Sequence, residues 1–365
     1  MRKSLWALWL SLLAVVAMAT GCARTHGPGY YWQSVAGHTE LMWRSRPIDH
    51  WLSDETTPAN LRERLALARR IRDFASAELG LPDNASYKRY ADLGRRAAVY
   101  NVVAAPALSL QLKTWCFPVA GCVGYRGYYS EADAQAYARQ LREGEGSEDG
   151  LEVGVYPVPA YSTLGWMNWA GGDPVLNTFI VYPEGELARL LFHELAHQVL
   201  YVQDDTAFNE SFATAVERLG VQRWLQQAAT PAARAEYTAF DQRRQAFRAL
   251  TRSVRDRLQV VYSDPTTDEA GKLQRKQAVM DDFRREYDQL KAFWGGFSGY
   301  DPWVARVNNA LLGAQGAYDR FVPGFEALFE REGRDFARFY DAVRALAKRP
   351  KAEREAILLA LAPTR

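Results

Sequence analysis

The stretch His193-Glu194-Leu195-Ala196-His197, followed after twelve intervening residues by Glu210 within Asn209-Glu210-Ser211-Phe212-Ala213, decides the reading of this chain. Positions i and i+4 of a helix lie one turn apart on the same face. Two imidazoles can therefore reach one cation while the glutamate between them sits beside it. Leu187, Leu190, Leu191, Leu195 and Val199 recur at helical spacing, which predicts one amphipathic helix over 184–201 that carries both histidines. Only five histidines occur in 365 residues, so a pair at this spacing carries weight.

Hydrolysis at a zinc ion needs three protein ligands and one position left open for water. His193 and His197 supply two of them. The third is expected from a carboxylate on a following helix, over 209–220, with Asn209 as its cap and Gly220 at its end. Glu210 and Glu217 are seven residues apart and share a face, with Thr214 between them on that face. The segment Asn-Glu-x-Phe-Ala resembles the third-ligand segment of gluzincin aminopeptidases, which favours Glu210. Glu217, with nineteen residues between it and His197, suits a thermolysin-like spacing and stays open as the alternative, as a ligand or as an outer partner with Thr214.

Glu194 cannot easily join the same shell as its neighbours, so its expected role is proton transfer, from the attacking water to the leaving amine. A second electrophile for the oxyanion is expected, and Tyr318 is the candidate. It lies between Asn308-Asn309-Ala310 and Pro323-Gly324-Phe325, a stretch richer in asparagine and glycine than packing requires. An aminopeptidase also needs a carboxylate for the substrate's α-ammonium group, for which Asp173, Asp204, Asp205 and Glu217 are candidates by closeness in sequence.

Arg2 and Lys3 precede an apolar run over Leu5–Ala19, which reads as a secretory leader. Ala19-Thr20-Gly21-Cys22 resembles a bacterial lipobox, with Cys22 the lipidated first residue of the mature chain and Ala23 favouring the outer membrane. The expectation is a lipid-anchored protein of the cell envelope, facing the periplasm. Cys116 and Cys122, the remaining cysteines, are expected to pair in that oxidising space across the turn-forming Phe117–Gly121 loop. Trp115, Phe117, Tyr125, Arg126, Gly127, Tyr128 and Tyr129 around them make this loop a candidate wall of the substrate cleft.

Without residues 1–21 the chain keeps about 344 residues, with 43 basic against 43 acidic side chains. The charges are interspersed, which speaks against a nucleic-acid partner. Patterning predicts helices over 60–79, 84–99, 130–142, 236–262 and 267–293, the last two as a hairpin turned at Ser263-Asp264-Pro265. Strands are predicted over 108–117, 119–129, 151–158 and 178–182, with an acidic loop at Glu143–Ser147.

The whole reads as one α+β unit, about 22–183 an α/β half with a small mixed sheet and 184–365 a helical half. This plan resembles gluzincin peptidases, in which an edge strand before the metal helix binds the peptide backbone. Thr178–Tyr182 or Tyr161–Trp166 would take that part. The Cys116–Gly127 stretch, His193–Gln198, Asn209–Ala213 and Asn308-Asn309-Ala310 together resemble the family of predicted bacterial lipoprotein aminopeptidases, over essentially the whole mature chain. The resemblance implies cleavage at peptide N-termini with one zinc ion. An endopeptidase of the envelope is the alternative enzyme. A binding or chaperone lipoprotein on a degenerate peptidase frame is the alternative of another class, against which the intact His193, Glu194 and His197 argue.

Overall fold

A computed structural model describes residues 28–117, 121–144, 150–160 and 162–362. The leader, Cys22, Val119, Tyr161 and part of the acidic loop fall outside the described residues. The chain begins with helix α1 (Pro28–Arg44), strand β1 (Arg46–Pro47), helix α2 (Ile48–Ser53) and helix α3 (Ala59–Ala77). Helix α3 forms where its pattern places it, burying Leu65, Ala68, Ile71, Arg72 and Ala75 as one stripe.

The helix expected over 84–99 does not form. The Asn84 side chain accepts from the Ser86 amide at 3.0 Å, and the buried Arg72 guanidinium donates to the carbonyls of Pro82, Asn84 and Ser86. Tyr87 and Gly94 adopt left-handed backbone, each at φ 63°. Such local bonds give carbonyls and amides partners other than a helical ladder. Strands β2 (Arg89–Ala91) and β3 (Val99–Pro106) occupy the stretch and its continuation.

Instead of one mixed sheet there are three small ones. β3 is the centre of an antiparallel sheet between β6 (Arg126–Tyr128) and β7 (Leu151–Val158), with Asn101 opposite Gly127 on one side and Tyr156 on the other. Side chains alternate across it. Val102, Ala104, Val153 and Val155 pack beneath helix α4 (Glu131–Arg142), which Ser130 caps. Val103 and Ala105 of the opposite face meet Ala310 and Leu311 of a later helix. β4 (Trp115–Phe117) and β5 (Gly121–Val123) make a hairpin, so only the end of the strand predicted over 108–117 is extended. β1, β2 and β8 (Val175–Leu176) form the third sheet, β8 parallel to β2.

No strand forms over 178–182. Ile180 and Phe179 turn back onto the Leu176 carbonyl, and Arg64 of α3 donates to the carbonyls of Ile180 and Tyr182. The described part of the other candidate, Ser162–Trp166, is also a turn, with Leu164 at φ 54°.

From Glu184 onward the elements are helical: α5 (Glu184–Val199), α6 (Thr206–Gln227), α7 (Pro231–Ser263), α8 (Glu269–Phe293), α9 (Asp301–Val304), α10 (Asn309–Asp319), α11 (Val322–Arg331), α12 (Phe336–Ala347) and α13 (Lys351–Leu361). α7 and α8 are the expected hairpin, and the Asp264 carboxylate holds its turn through Thr266 and Thr267. The largest core joins both halves of the chain. Leu65 and Ile71 of α3, Leu187, Leu191 and Leu195 of α5, and Phe208, Phe212 and Val216 of α6 share it with Phe325, Phe339 and Leu358. No described helix is long and apolar enough to cross a membrane.

Candidate metal centre

Helix α6 is buried continuously from Phe208 to Glu217, including Asn209, Glu210, Ser211, Thr214 and Glu217. Buried polar groups on such a helix need partners, and their partners define the site. The phase between α5 and α6 is set at their link. Asp205, not Asn209, caps α6, accepting from the Phe208 amide at 3.3 Å and pairing with Arg354 at 2.7 Å. Asn209 lies one turn into the helix and reaches back to Val202, accepting from its amide at 2.8 Å and donating to its carbonyl at 2.7 Å. That clamp brings the next residue, Glu210, across from the histidines.

His193 Nε2 and His197 Nε2 lie 3.2 Å apart. Glu210 Oε2 is 3.3 Å from the first and 3.7 Å from the second. These three donors form a compact group of potential metal ligands. A tetrahedral shell with bonds of about 2.0–2.1 Å places its donors roughly 3.3 Å apart, so the observed edges fit a bound ion. Buried Glu210 Oε2 has no hydrogen-bond partner, and neither has His197 Nδ1. A buried carboxylate oxygen that faces two ring nitrogens without a well-formed hydrogen bond to either is what a cation would satisfy.

Glu217 serves the other side of His193. Its Oε2 lies 3.0 Å from His193 Nδ1, and its Oε1 takes Arg189. Arg189 also donates to Glu186, which pairs with Arg244, which in turn pairs with Asp241. A carboxylate on the far nitrogen fixes ring and tautomer and leaves Nε2 for the ion. Thr214, between the two glutamates, is buried against the cavity that His193, Glu194 and Glu217 line.

Charge follows this geometry. Burial lowers the pKa of the His193 imidazole, but Glu210 and Glu217 override it and raise that pKa to about 10 in the metal-free site. Burial raises the Glu210 pKa, and the two histidines bring it down to about 2. Glu217 is held well below the usual carboxylate range, against burial, by Arg189 and His193.

Glu194 lines two cavities that meet at the donors, of about 330 and 310 Å³. The larger is the cleft. Phe117, Tyr125, Gly127 and Tyr129 of the cysteine loop region line it, as expected, together with Val123. Trp115, Arg126 and Tyr128 turn to the other face, where Trp115 donates to the Tyr137 hydroxyl at 2.8 Å and Arg126 stacks on Tyr30 and Tyr137. Cys116 and Cys122 are joined by a disulfide across the hairpin. The Cys122 amide donates to Asp204 at 2.6 Å, which ties the hairpin to the α5–α6 link.

The four candidate α-ammonium anchors are otherwise engaged. Asp173 is buried and accepts from the Thr163 amide with both oxygens, at 3.1 and 3.0 Å. Its pKa is raised to about 6, chiefly by burial, with Glu194 adding to the effect. Asp204 takes the Cys122 amide, Asp205 takes Arg354, and Glu217 takes His193 and Arg189. Tyr318 falls in α10, its side chain outside the described residues. Two tyrosines that sequence did not assign as electrophiles stand at the donors. Tyr125 is driven well above the usual phenol range by burial and by Glu210, and Tyr201, just past α5, is raised by the same two causes. Tyr201 also meets the His197 ring edge-on, centroids 6.4 Å apart.

Residues 29–358 match the model of a family described as "Putative aminopeptidase". The chain belongs to the putative aminopeptidase family. No curated protein and no solved structure matches it. Membership in the putative aminopeptidase family supports peptidase activity in general. It implies a peptide substrate.

Proposed function

We propose that the protein is a zinc-dependent peptidase of gluzincin type, lipid-anchored through Cys22 in the bacterial envelope and hydrolysing peptide bonds in the cleft above α5. The observation that carries the reading is the convergence of His193 Nε2, His197 Nε2 and Glu210 Oε2 at tetrahedral spacing beside a glutamate that is not one of them. Two histidines and a glutamate are a donor set that suits catalytic zinc. Such an ion supplies Lewis acidity toward the scissile carbonyl and acidifies water.

The chain's own residues do the rest. Glu194 takes a proton from the attacking water and passes it to the leaving amine. Tyr125 and Tyr201, which line the cleft beside the donors and whose hydroxyls are kept protonated by burial and Glu210, are the candidates to donate to the developing oxyanion. Glu217 holds His193 in position through Nδ1.

Glu194→Gln keeps the shape and removes the base, so hydrolysis falls by roughly 10²- to 10⁴-fold while metal analysis still finds about one ion per chain. His193→Ala loses metal and activity together. A fully active Glu194→Gln protein would sink the mechanism even with zinc bound.

A further inference from the structure

We infer that the outward face of α1 lies on the lipid bilayer as a second contact beside the Cys22 lipid, so that this helix stands between the membrane and the cleft. The inference rests on the lipid-anchored reading and adds to it the surface that meets the lipid.

Helix α1 has two faces. Tyr30, Ser34, Gly37 and Leu41 recur at spacings of four, three and four, and they look into the protein. Tyr30 and Ser34 line the cleft, and the Tyr30 ring stacks on Phe117 with centroids 5.7 Å apart. Leu41 is buried, and a Cβ on Gly37 would run into the Tyr129 ring. Trp32, Ala36, Thr39 and Trp43 repeat that spacing two positions on, hence about 200° round the helix, and Val35 joins them. This opposite stripe is exposed, Trp32 at 73%, Val35 at 59% and Trp43 at 87%. None of its side chains is charged, and its one hydroxyl, of Thr39, donates to the Val35 carbonyl at 2.7 Å within the helix. The face that a helix turns to water is ordinarily its polar one. Here it carries large apolar groups, as an interaction surface does.

Reach and chemistry identify the occupant as lipid. Five residues separate Cys22 from Pro28, the first of α1. A link of that length spans at most about 20 Å. An acylated Cys22 therefore keeps the start of α1 within that distance of the headgroups, where a tethered contact needs little affinity of its own. Tryptophan, with an apolar ring and one N–H, settles at the boundary between membrane and water, and a helix with an apolar face lies in that plane. The stripe presents on the order of 500 Å². A stable protein interface takes about 800 Å² from each partner, which argues against a second copy of the chain as the occupant. With α1 on the lipid, its inner face holds the cleft about one helix diameter, roughly 10 Å, from the bilayer.

The test places the acylated protein in vesicles of phosphatidylethanolamine and phosphatidylglycerol, with an environment-sensitive dye on Val35→Cys. The dye emission is expected to shift to the blue and to fall at least about twofold when the lipids carry a nitroxide near the headgroup. The chain from residue 22 onward, made as Cys22→Ala, is expected to bind the same vesicles weakly. Adding Trp32→Ser and Trp43→Ser should weaken that binding by at least about tenfold with an unchanged thermal midpoint. A dye that stays in water in the acylated protein overturns the inference and leaves the anchor standing, as does equal vesicle binding with and without the two tryptophans. A dye shielded without vesicles, in step with protein concentration, also overturns it and gives the stripe to a second copy. Absence of lipid on Cys22 removes the anchored reading, and the Cys22→Ala chain then decides: tryptophan-dependent binding keeps the membrane face, and no binding overturns both.

Discussion

Glu210 and Glu217 lie seven residues apart on one buried face of α6, and the helix gives them different work. Glu210 points at the two Nε2 atoms, while Glu217 reaches only the Nδ1 of His193. Removing a ligand differs from removing the group behind one. Glu210→Ala is expected to strip most of the metal, whereas Glu217→Ala keeps a site weakened by about 10- to 100-fold. Competition with a chromophoric chelator checks both, and metal retention by Glu210→Ala with loss by Glu217→Ala would exchange the assignments. At this scale the sequence carried the histidine pair and narrowed the carboxylate to two, because helical phase is a local property. It favoured Glu210 without deciding, since the choice depends on where α6 crosses α5 and on Arg189 claiming Glu217. Tyr125 and Tyr201 were hidden for the same reason. One comes from the loop between β5 and β6 and one from beyond a helix end, and neither bears a spacing to His193 that chemistry requires.

Elements hold the link between α5 and α6 from outside. The β4–β5 hairpin sits on Asp204, which adopts φ 61° and receives the Cys122 amide. Gly121 has φ 71°, and a Cβ there would meet Asp204 Oδ1 at 2.5 Å. Gly121→Ala thus combines left-handed strain with a push on the link, and a loss of about 1–3 kcal/mol is expected in denaturant unfolding. A neutral result would show that the hairpin does not bear on the link. Opening the disulfide by Cys116→Ser with Cys122→Ser should cost about 2 kcal/mol, because the loop that it closes is short. The long helices after Glu184 were legible because their apolar stripes are regular over many turns. Residues 84–99 and 178–182 were not. Their conformation is dictated by Arg72 and Arg64, which bind carbonyls of segments up to 118 positions away, and no periodicity reports such a bond.

The molecule as a whole holds a run of alternating charge, from His193 through Glu217, Arg189, Glu186 and Arg244 to Asp241, and of the six only Glu217 is buried while the others are half-buried. The pH behaviour follows with definite signs. In the metal-free protein Glu210 titrates near 2 against an ordinary 4.5, so its contribution is present above about 4.5 and is lost as the pH falls toward 2. His193 titrates near 10 against an ordinary 6.5, so its contribution is full below 6.5 and is lost as the pH rises through 10. The metal-free protein should therefore be favoured by these groups over about pH 4.5–6.5 and lose stability on either side. In the metal-free protein both Nδ1 and Nε2 of His193 face carboxylates, which favours the protonated ring, with a proton on the nitrogen that a metal needs. Zinc uptake must expel that proton. Titration calorimetry in buffers of different ionisation enthalpy should then report about one proton released per ion, and affinity should rise by about tenfold per pH unit between 6 and 9. Heats that do not depend on the buffer would mean that His193 is already neutral, and that Glu217 orients the ring without charging it.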